Sequence, residues 1–432
     1  MSVSEGNRVA IVDGVRSPCA KAGTKLKDIP AYELGRAVLA ELLAKTDLDP
    51  EVVDEVIFGN TGNPAEAANI ARVIALNAGF SKKISAHSVH RNCASGLQSI
   101  TEAFDHIQAN QAEVVIAGGT ESMSNMPLLL SKEMAEIVEK LTYGKHLTDK
   151  LESLSHFRPE FLKPVVGIIE GLTDPFSGLN MGQTAEVLAR EFHISRVEQD
   201  TFALLSHKRA VAASESGVLA EEMIPIFLSP KYEEVIEKDI GPRENQTLEA
   251  LAKLRPAFDR QNGTVTAGNS CGITDGAAAL LIMKEQRAKD LGLEPLGFIR
   301  SYAYAGLDPE RMGLGPVFST PLAMDQAGVQ FDDFDLIELN EAFAAQVLAC
   351  EKAFRSEEFC QRELNRSALG ELDREKLNVN GGAIALGHPV GATGTRITLT
   401  LLKEMNRRNA NLGLATLCIG GGQGGAIIVE RT

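Results

Sequence analysis

Cys93, His388 and Cys418 stand in settings that suit acyl chemistry. Cys93 lies in Arg91-Asn92-Cys93-Ala94-Ser95-Gly96, just before a run whose apolar Leu97, Ile100, Phe104 and Ile107 step by 3, 4 and 3. That spacing predicts an amphipathic helix. Cys93 would then face the unpaired N–H groups and positive dipole end of the helix start, which favour thiolate. Polar Arg91, Asn92 and Ser95 crowd it, which argues against an inert core cysteine. His388 sits in Asn380-Gly-Gly-Ala-Ile-Ala-Leu-Gly-His388-Pro-Val-Gly-Ala-Thr-Gly394, with five glycines in fifteen residues. Such density calls for tight turns and close backbone approach. A histidine there is either a general base for a thiol or a ring bonded to its own turn.

Cys418 runs into Gly420-Gly421-Gly422-Gln423-Gly424-Gly425, where backbone N–H groups could receive an oxyanion. Residues 420–425 also fit G-x-G-x-x-G, but Ala426–Val429 reads as a strand where a dinucleotide site needs a helix. His87-x-x-His90-x-x-Cys93 has metal-like spacing, with no second pair nearby to complete a four-ligand set, so no metal site is expected. Asn340-Glu341-Ala342-Phe343 follows an apolar strand. A polar pair at a strand's carboxyl end marks either a ligand site or a helix cap. Neither a Walker A lysine motif nor a G-x-S-x-G elbow occurs.

Elements must position these residues, and their order is that of an α/β fold. Strand patterns fall at Val9–Val12, Val56–Phe58, Val114–Ala117, Ala278–Met283, Phe334–Leu339, Leu414–Ile419 and Ala426–Val429. A second amphipathic helix follows Gly394, with Ile397, Leu401 and Met405 at steps of 4. The two halves repeat one order: strand, turn, helix opening at Cys93 or His388, then strand running into Gly118-Gly119 or Gly420-Gly421. This points to a duplicated unit in which Cys93 and His388 occupy corresponding helix starts. Between the copies, about 125–255, the pattern loosens. There Met134, Ile137 and Leu141, then Leu147, Leu151 and Leu154, read as short amphipathic helices of an insert.

Composition narrows the classes. The 432 residues suffice for two or three domains at ~100–200 residues each. A net charge of −15 argues against a general nucleic-acid binder, though a local basic pocket can still hold an anion. No apolar run approaches ~18 residues, so no transmembrane helix is expected. Met1–Arg8 lacks a basic segment followed by an apolar core, and a cytoplasmic location is expected. Six scattered cysteines are then free thiols rather than staples.

Taken together, Cys93, Asn340-Glu341-Ala342-Phe343, Gly387-His388-Pro389 and Cys418-x-Gly420 resemble the thiolase family, in its order and along essentially the whole chain. The resemblance implies two similar halves, each with a five-stranded mixed sheet, stacked as α-β-α-β-α layers with an inserted loop domain. Residues 1–124 and 256–284 would form the N-terminal half, 125–255 the coenzyme A-binding insert, and 285–432 the C-terminal half. It implies that Cys93 is acylated, His388 activates it, and Cys418 is a second acid/base. Asn340, through a bound water, and His388 would form one oxyanion hole, with the N–H groups of Cys93 and Gly420 forming the other. Arg243 in Gly-Pro-Arg matches the family's nucleotide-contacting arginine, and a guanidinium suits a phosphate. Leu254 in Lys-Leu-Arg-Pro, Met181 in Asn-Met-Gly and Ala267 in Thr-Ala-Gly-Asn match pantetheine contacts, with Ser270 beside them.

The implied reaction is CoA-dependent thiolysis of a 3-ketoacyl-CoA to acetyl-CoA and a shortened acyl-CoA, reversible as a Claisen condensation. Coenzyme A is then a substrate, and no permanently bound cofactor is expected. The second-half motifs resemble the acetoacetyl-CoA branch as much as the degradative one. The Asn180-Met181-Gly182 triplet stands where the former resembles His-Met-Gly, and Cys271 where it has serine. Leu128–Phe176 resembles the insertion of fatty-oxidation β-subunits. The expectation is therefore a 3-ketoacyl-CoA thiolase of fatty acid β-oxidation, with an acetyl-CoA acetyltransferase as the alternative. A non-catalytic acyl-CoA-binding protein is a third reading, disfavoured because all three reactive residues are present. Ketoacyl synthases resemble a Cys-His-His set, and the third position here is Cys418. The expected assembly is a homodimer or homotetramer, with a multifunctional hydratase/dehydrogenase α-subunit as a further partner and no nucleic acid.

Overall fold

A computed structural model describes residues 8–228 and 230–432; the reading of residues 1–7 lies outside the described residues. The strands that build the sheet are β1 (Val9–Arg16), β2 (Glu55–Gly59), β3 (Ser85–Val89), β4 (Val114–Glu121), β5 (Thr274–Lys284), β6 (Gly297–Gly306), β7 (Leu336–Leu339), β8 (Leu412–Ile419) and β9 (Gln423–Glu430). Their order is β7-β8-β9-β6-β1-β5-β4-β2-β3. In the first half β3, β2 and β4 run parallel, and β5 and β1 add antiparallel. In the second half β7 and β8 run parallel, and β9 and β6 add antiparallel. Each half is thus a mixed sheet. In the second half the fifth place is taken by one parallel bridge, Ile337 to Leu377, instead of a full strand. The two sheets are also continuous, because β1 and β6 pair antiparallel from Val9 and Ile299 to Ile11 and Gly297.

The layers follow from the period of two along each strand. Val56, Phe58, Val114 and Ile116 turn outward onto helices α1 (Ala31–Thr46) and α2 (Ile70–Asn77). Ile57, Val115 and Ala117 turn inward, where they meet Ala415, Leu417, Ile427 and Val429 of the other sheet around two central helices. These are α3 (Ser95–Gln108) and α10 (Thr393–Arg408). On the far side Ile337, Leu414 and Ile428 pack on α8 (Gly315–Ala327) and α9 (Ala344–Phe354). The stacking is α-β-α-β-α.

Between β4 and β5 the chain carries, among others, helices α4 (Lys132–Tyr143), α5 (Leu147–Ser155), α6 (Met181–Glu191) and α7 (Arg196–Glu215). Helices α6 and α7 send Leu188 and Phe202 into the second half's outer core. The expected stripe on α5 forms with the right spacing but stays unburied, with Leu147 72%, Leu151 57% and Leu154 49% exposed. Helical period set the element; nothing among the described residues covers its apolar face. No helix among the described residues is long and apolar enough to cross a membrane.

The central helices meet at their starts, which is what brings the two halves' chemistry together. The Thr395 hydroxyl donates to the Gly96 carbonyl at 3.0 Å. A Cβ on Gly394 would collide with the backbone N of Leu97, which cannot move aside. Gly394→Ala should therefore lower stability by about 1–3 kcal/mol through overpacking. That outweighs the ~0.5–1 kcal/mol usually gained by replacing a helical glycine. The midpoint of urea unfolding measures it; an unchanged or raised midpoint would contradict the close approach.

Candidate active site

The Cys93 turn is held from both halves. Asn92 takes a left-handed conformation, φ 44°, and its Nδ2 donates to the Gly420 carbonyl at 2.7 Å. Ser95 Oγ accepts from Arg91 N at 2.9 Å and donates to the Asn92 carbonyl at 2.7 Å. The Arg91 guanidinium lies 4.1 Å from the Tyr304 ring centre. Cys418 lies one residue before the end of β8, and Gly421 and Gly422, with φ of 87° and 78°, turn the hairpin so that Gly420 faces Cys93. The 420–425 glycines lead into β9, as the strand reading requires.

Cys93 is half-buried, and burial pushes its thiol above the ordinary value, against the pull of the Gly420 and Cys93 N–H groups; the Glu121 charge adds to the rise. The expectation of a resting thiolate is thus corrected. Loss of solvent outweighs the helix start, and the proton has to be removed by a neighbour.

His388 is 6% exposed. Its Nδ1 lies 2.6 Å from Thr393 Oγ1, and that hydroxyl donates to the Pro389 carbonyl at 3.0 Å. The hydroxyl's own proton being committed, it accepts from Nδ1–H, which leaves Nε2 as the bare acceptor. Nε2 is buried and has no hydrogen-bond partner among the described residues. Burial, then the Arg396 charge, lowers the imidazole to about 3, so the ring is neutral at working pH.

Asn340 follows β7 and is 1% exposed, yet neither Oδ1 nor Nδ2 has a partner among the described residues. A buried polar group left unpaired costs about 1–3 kcal/mol, so orphans of this kind ask for a third participant. The chain over 269–274 stitches this turn to the histidine loop. Cys271 N donates to the Ala342 carbonyl at 3.0 Å, and His388 N donates to Thr274 Oγ1 at 3.2 Å. Cys418 is fully buried and packs with Met181, Ala342 and Phe343. Burial, then the nearby Cys93, Cys350 and Cys271, pushes its thiol well above the ordinary value. The thiol is thus held protonated.

Sequence reasoning missed three supports. Glu121, buried at the end of β4, accepts from Asn60 Nδ2 at 3.0 Å, Thr61 N at 3.0 Å, Gly62 N at 3.0 Å and Gly391 N at 2.9 Å, and so ties the histidine loop to the first half. Its signal was a lone charge closing an apolar strand. Cys271 lies near Cys93, and burial with that neighbour pushes it up to about 12. Thr393 carried no signal, since one threonine in a glycine-rich run looks like any other.

Of the residues assigned to coenzyme A, Met181 packs in the cluster that holds Cys418. Met181 opens α6 behind a capping box made by Asn180 and Gln183, and its Sδ lies 3.3 Å from where a Cβ on Gly420 would sit. Leu254 packs over Gly268, beside the exposed Ala267. Arg243 is exposed, makes no ion pair among the described residues, and its N–H donates to His207 Nδ1 at 3.3 Å. Ser270 is 7% exposed and its hydroxyl donates to the Thr266 carbonyl at 2.7 Å, so the side chain is committed inside the fold. His87 is engaged by Glu55 at 3.2 Å and Glu102 at 2.8 Å.

A thiol beside two N–H donors, a neutral imidazole with a free nitrogen and a second protonated thiol suffice for acyl transfer with proton movement at a neighbouring carbon. Comparison with known proteins agrees. Residues 9–286 match the family model "Thiolase, N-terminal domain" and residues 293–431 match "Thiolase, C-terminal domain". The chain is 46% identical over 429 residues to a 3-ketoacyl-CoA thiolase of Pectobacterium carotovorum, covering 99% of this chain and 97% of that protein. A 3-ketoacyl-CoA thiolase of Colwellia psychrerythraea is 44% identical over 432 residues, covering 100% and 98%. Among solved structures, the acetyl-CoA acetyltransferase of Bacillus anthracis superposes with a TM-score of 0.86 at 39% identity, covering 99% of each chain. Human mitochondrial 3-ketoacyl-CoA thiolase gives 0.85 at 38%, covering 99% and 100%.

Proposed function

The chain belongs to the thiolase family, and from that premise we propose that it cleaves 3-ketoacyl-CoA with coenzyme A through an acyl group on Cys93. It is an acyltransferase. The His388 Nε2 takes the Cys93 proton as sulfur attacks the keto carbon, and the N–H groups of Cys93 and Gly420 receive the acyl oxygen. The C2–C3 bond breaks, and the acetyl-CoA enolate takes the Cys418 proton while its oxygen is met by His388 and, through a bound water, by the Asn340 amide. The Cys418 thiolate then recovers a proton from the imidazolium, the direction in which burial favours its protonated form. Coenzyme A then loses its thiol proton to His388, takes the acyl group, and the proton returns to Cys93. Each oxyanion donor is worth about 2.7–4 kcal/mol.

The observation that carries this reading is the pair of buried groups without a partner among the described residues, the Asn340 amide and His388 Nε2. Residues 1–124 and 256–284, 125–255, and 285–432 are assigned as N-terminal half, insert and C-terminal half. Arg243, Met181, Leu254 and Ala267 are assigned to coenzyme A, Ser270 only through its backbone. A cytoplasmic homodimer or homotetramer is the proposed form, with a hydratase/dehydrogenase α-subunit as its partner.

The degradative reading is supported by relatives named 3-ketoacyl-CoA thiolase at 44–46% identity. Initial rates of thiolysis test it. The kcat/KM for a long-chain 3-ketoacyl-CoA should exceed that for acetoacetyl-CoA. A clear preference for acetoacetyl-CoA would favour the acetyltransferase reading.

A further inference from the structure

Of the Asn340-Glu341 pair that follows β7, only Asn340 has a part in the reaction so far. Glu341 is not the cap of α9, since Phe343 holds that place. Glu341 is 1% exposed, and three donors converge on its carboxyl. Oε1 accepts from Asn378 Nδ2 at 2.9 Å, and Oε2 accepts from the Ser206 hydroxyl at 2.6 Å and from Ile384 N at 3.1 Å. Asn378 is fixed in turn by β7. Its Oδ1 accepts from Leu339 N at 2.9 Å and its Nδ2 donates to the Leu339 carbonyl at 2.8 Å, so the main chain sets which end of the amide is the donor. Ser206, on α7, accepts from Gly382 N at 3.2 Å, which leaves its own proton for Glu341. A Cβ on Gly382 would strike the Glu341 carboxyl, so the side chain lies directly against the histidine loop. Ile384 stands four residues before His388 in that loop. Three residues after His388, Gly391 N is held by Glu121 at 2.9 Å. The loop is thus gripped on both sides of the imidazole by buried carboxylates, one from each half of the fold.

We infer that Glu341 is a positioning residue for the reaction: as the neighbour of Asn340 and the acceptor for the Ile384 N–H, it fixes the Asn340 amide and the His388 ring relative to each other. The inference rests on the thiolase reading, in which these two groups together receive the enolate oxygen. Breaking or making the C–C bond needs both in register. Exchange of coenzyme A on acyl-Cys93 needs the imidazole as a base, with its oxyanion held by the N–H groups of Cys93 and Gly420 instead. A misplacement of about 1 Å in such a site costs on the order of 10²-fold in rate.

The test compares the two steps. E341Q keeps the size but offers one acceptor oxygen, so its NH2 group must face either Asn378 Nδ2 or the Ser206 and Ile384 donors. Its kcat for thiolysis should fall about 10²-fold, with KM changed by less than about threefold. Exchange of labelled coenzyme A with acetyl-CoA should fall by less than about tenfold, because it does not use the Asn340 amide. Loss of folded protein would lower both rates by one factor, so their ratio separates positioning from a purely structural role. S206A serves where E341Q does not fold, since it removes one donor and leaves the Asn378 and Ile384 bonds in place. It should lower thiolysis about fivefold and leave exchange within about twofold. A wild-type protein without thiolysis would overturn the functional reading and this inference with it. With an active wild type, equal loss of thiolysis and exchange in a folded variant, or no loss of either, would overturn the inference alone.

Discussion

Cys93→Ala should abolish thiolysis, with kcat falling at least about 10⁴-fold, the scale on which loss of a covalent nucleophile acts. Stability should change by no more than about 1 kcal/mol, because one small half-buried side chain replaces another. The turn is held by Asn92, Ser95 and Arg91, none of which bonds the Cys93 sulfur. Coenzyme A binding should persist, since no residue assigned to it is altered. Assay of thiolysis beside a thermal melt measures both. A folded variant with more than a hundredth of the wild-type rate would remove Cys93 from the mechanism.

Cys418→Ser should divide the reaction in two. Serine keeps the shape, but its hydroxyl is a far weaker acid, and the enolate is left without a donor. Carbon–carbon cleavage and condensation should fall about 10³-fold or more. Exchange of labelled coenzyme A with acetyl-CoA, which passes through acetyl-Cys93 and breaks no C–C bond, should stay within about tenfold of wild type. Deuterium exchange from solvent into the acetyl methyl group should disappear together with condensation. The burial of Cys418 sharpens the expectation, because the structure holds that thiol protonated and so poised to donate. Methyl exchange at the wild-type rate would hand the proton to another group, with His388 the first to test.

Much of this was legible because the reactive residues sit where periodicity stops. Cys93 precedes a clean apolar stripe, His388 stands in a glycine run, and Asn340 closes a strand. Each position is local, and local patterns can be read. Burial is not local. The directions taken by Cys93 and Cys418 depend on neighbours hundreds of residues away, and helix-start reasoning alone pointed Cys93 the wrong way. Ser85–Val89 was unread because it is a half-exposed edge strand with little β-branched content. Gly297–Gly306 was unread because Arg300 and Ser301 break its apolar alternation. Yet that strand pairs with β1 and joins the two sheets. Glu121 shows the same limit. It is one charge among many in sequence, and only the fold reveals what surrounds it. The α5 stripe marks the reverse error, where a correct helix carried a face that the chain leaves uncovered.

The most direct measurement is peptide mass spectrometry of the wild-type protein after incubation with acetyl-CoA, quenched in acid to preserve thioesters. The account predicts an acetyl group on the peptide that contains Cys93, removed again when free coenzyme A is added before the quench. Acetyl found on Cys271 or Cys418 with Cys93 unmodified, or a label that coenzyme A cannot remove, would contradict it.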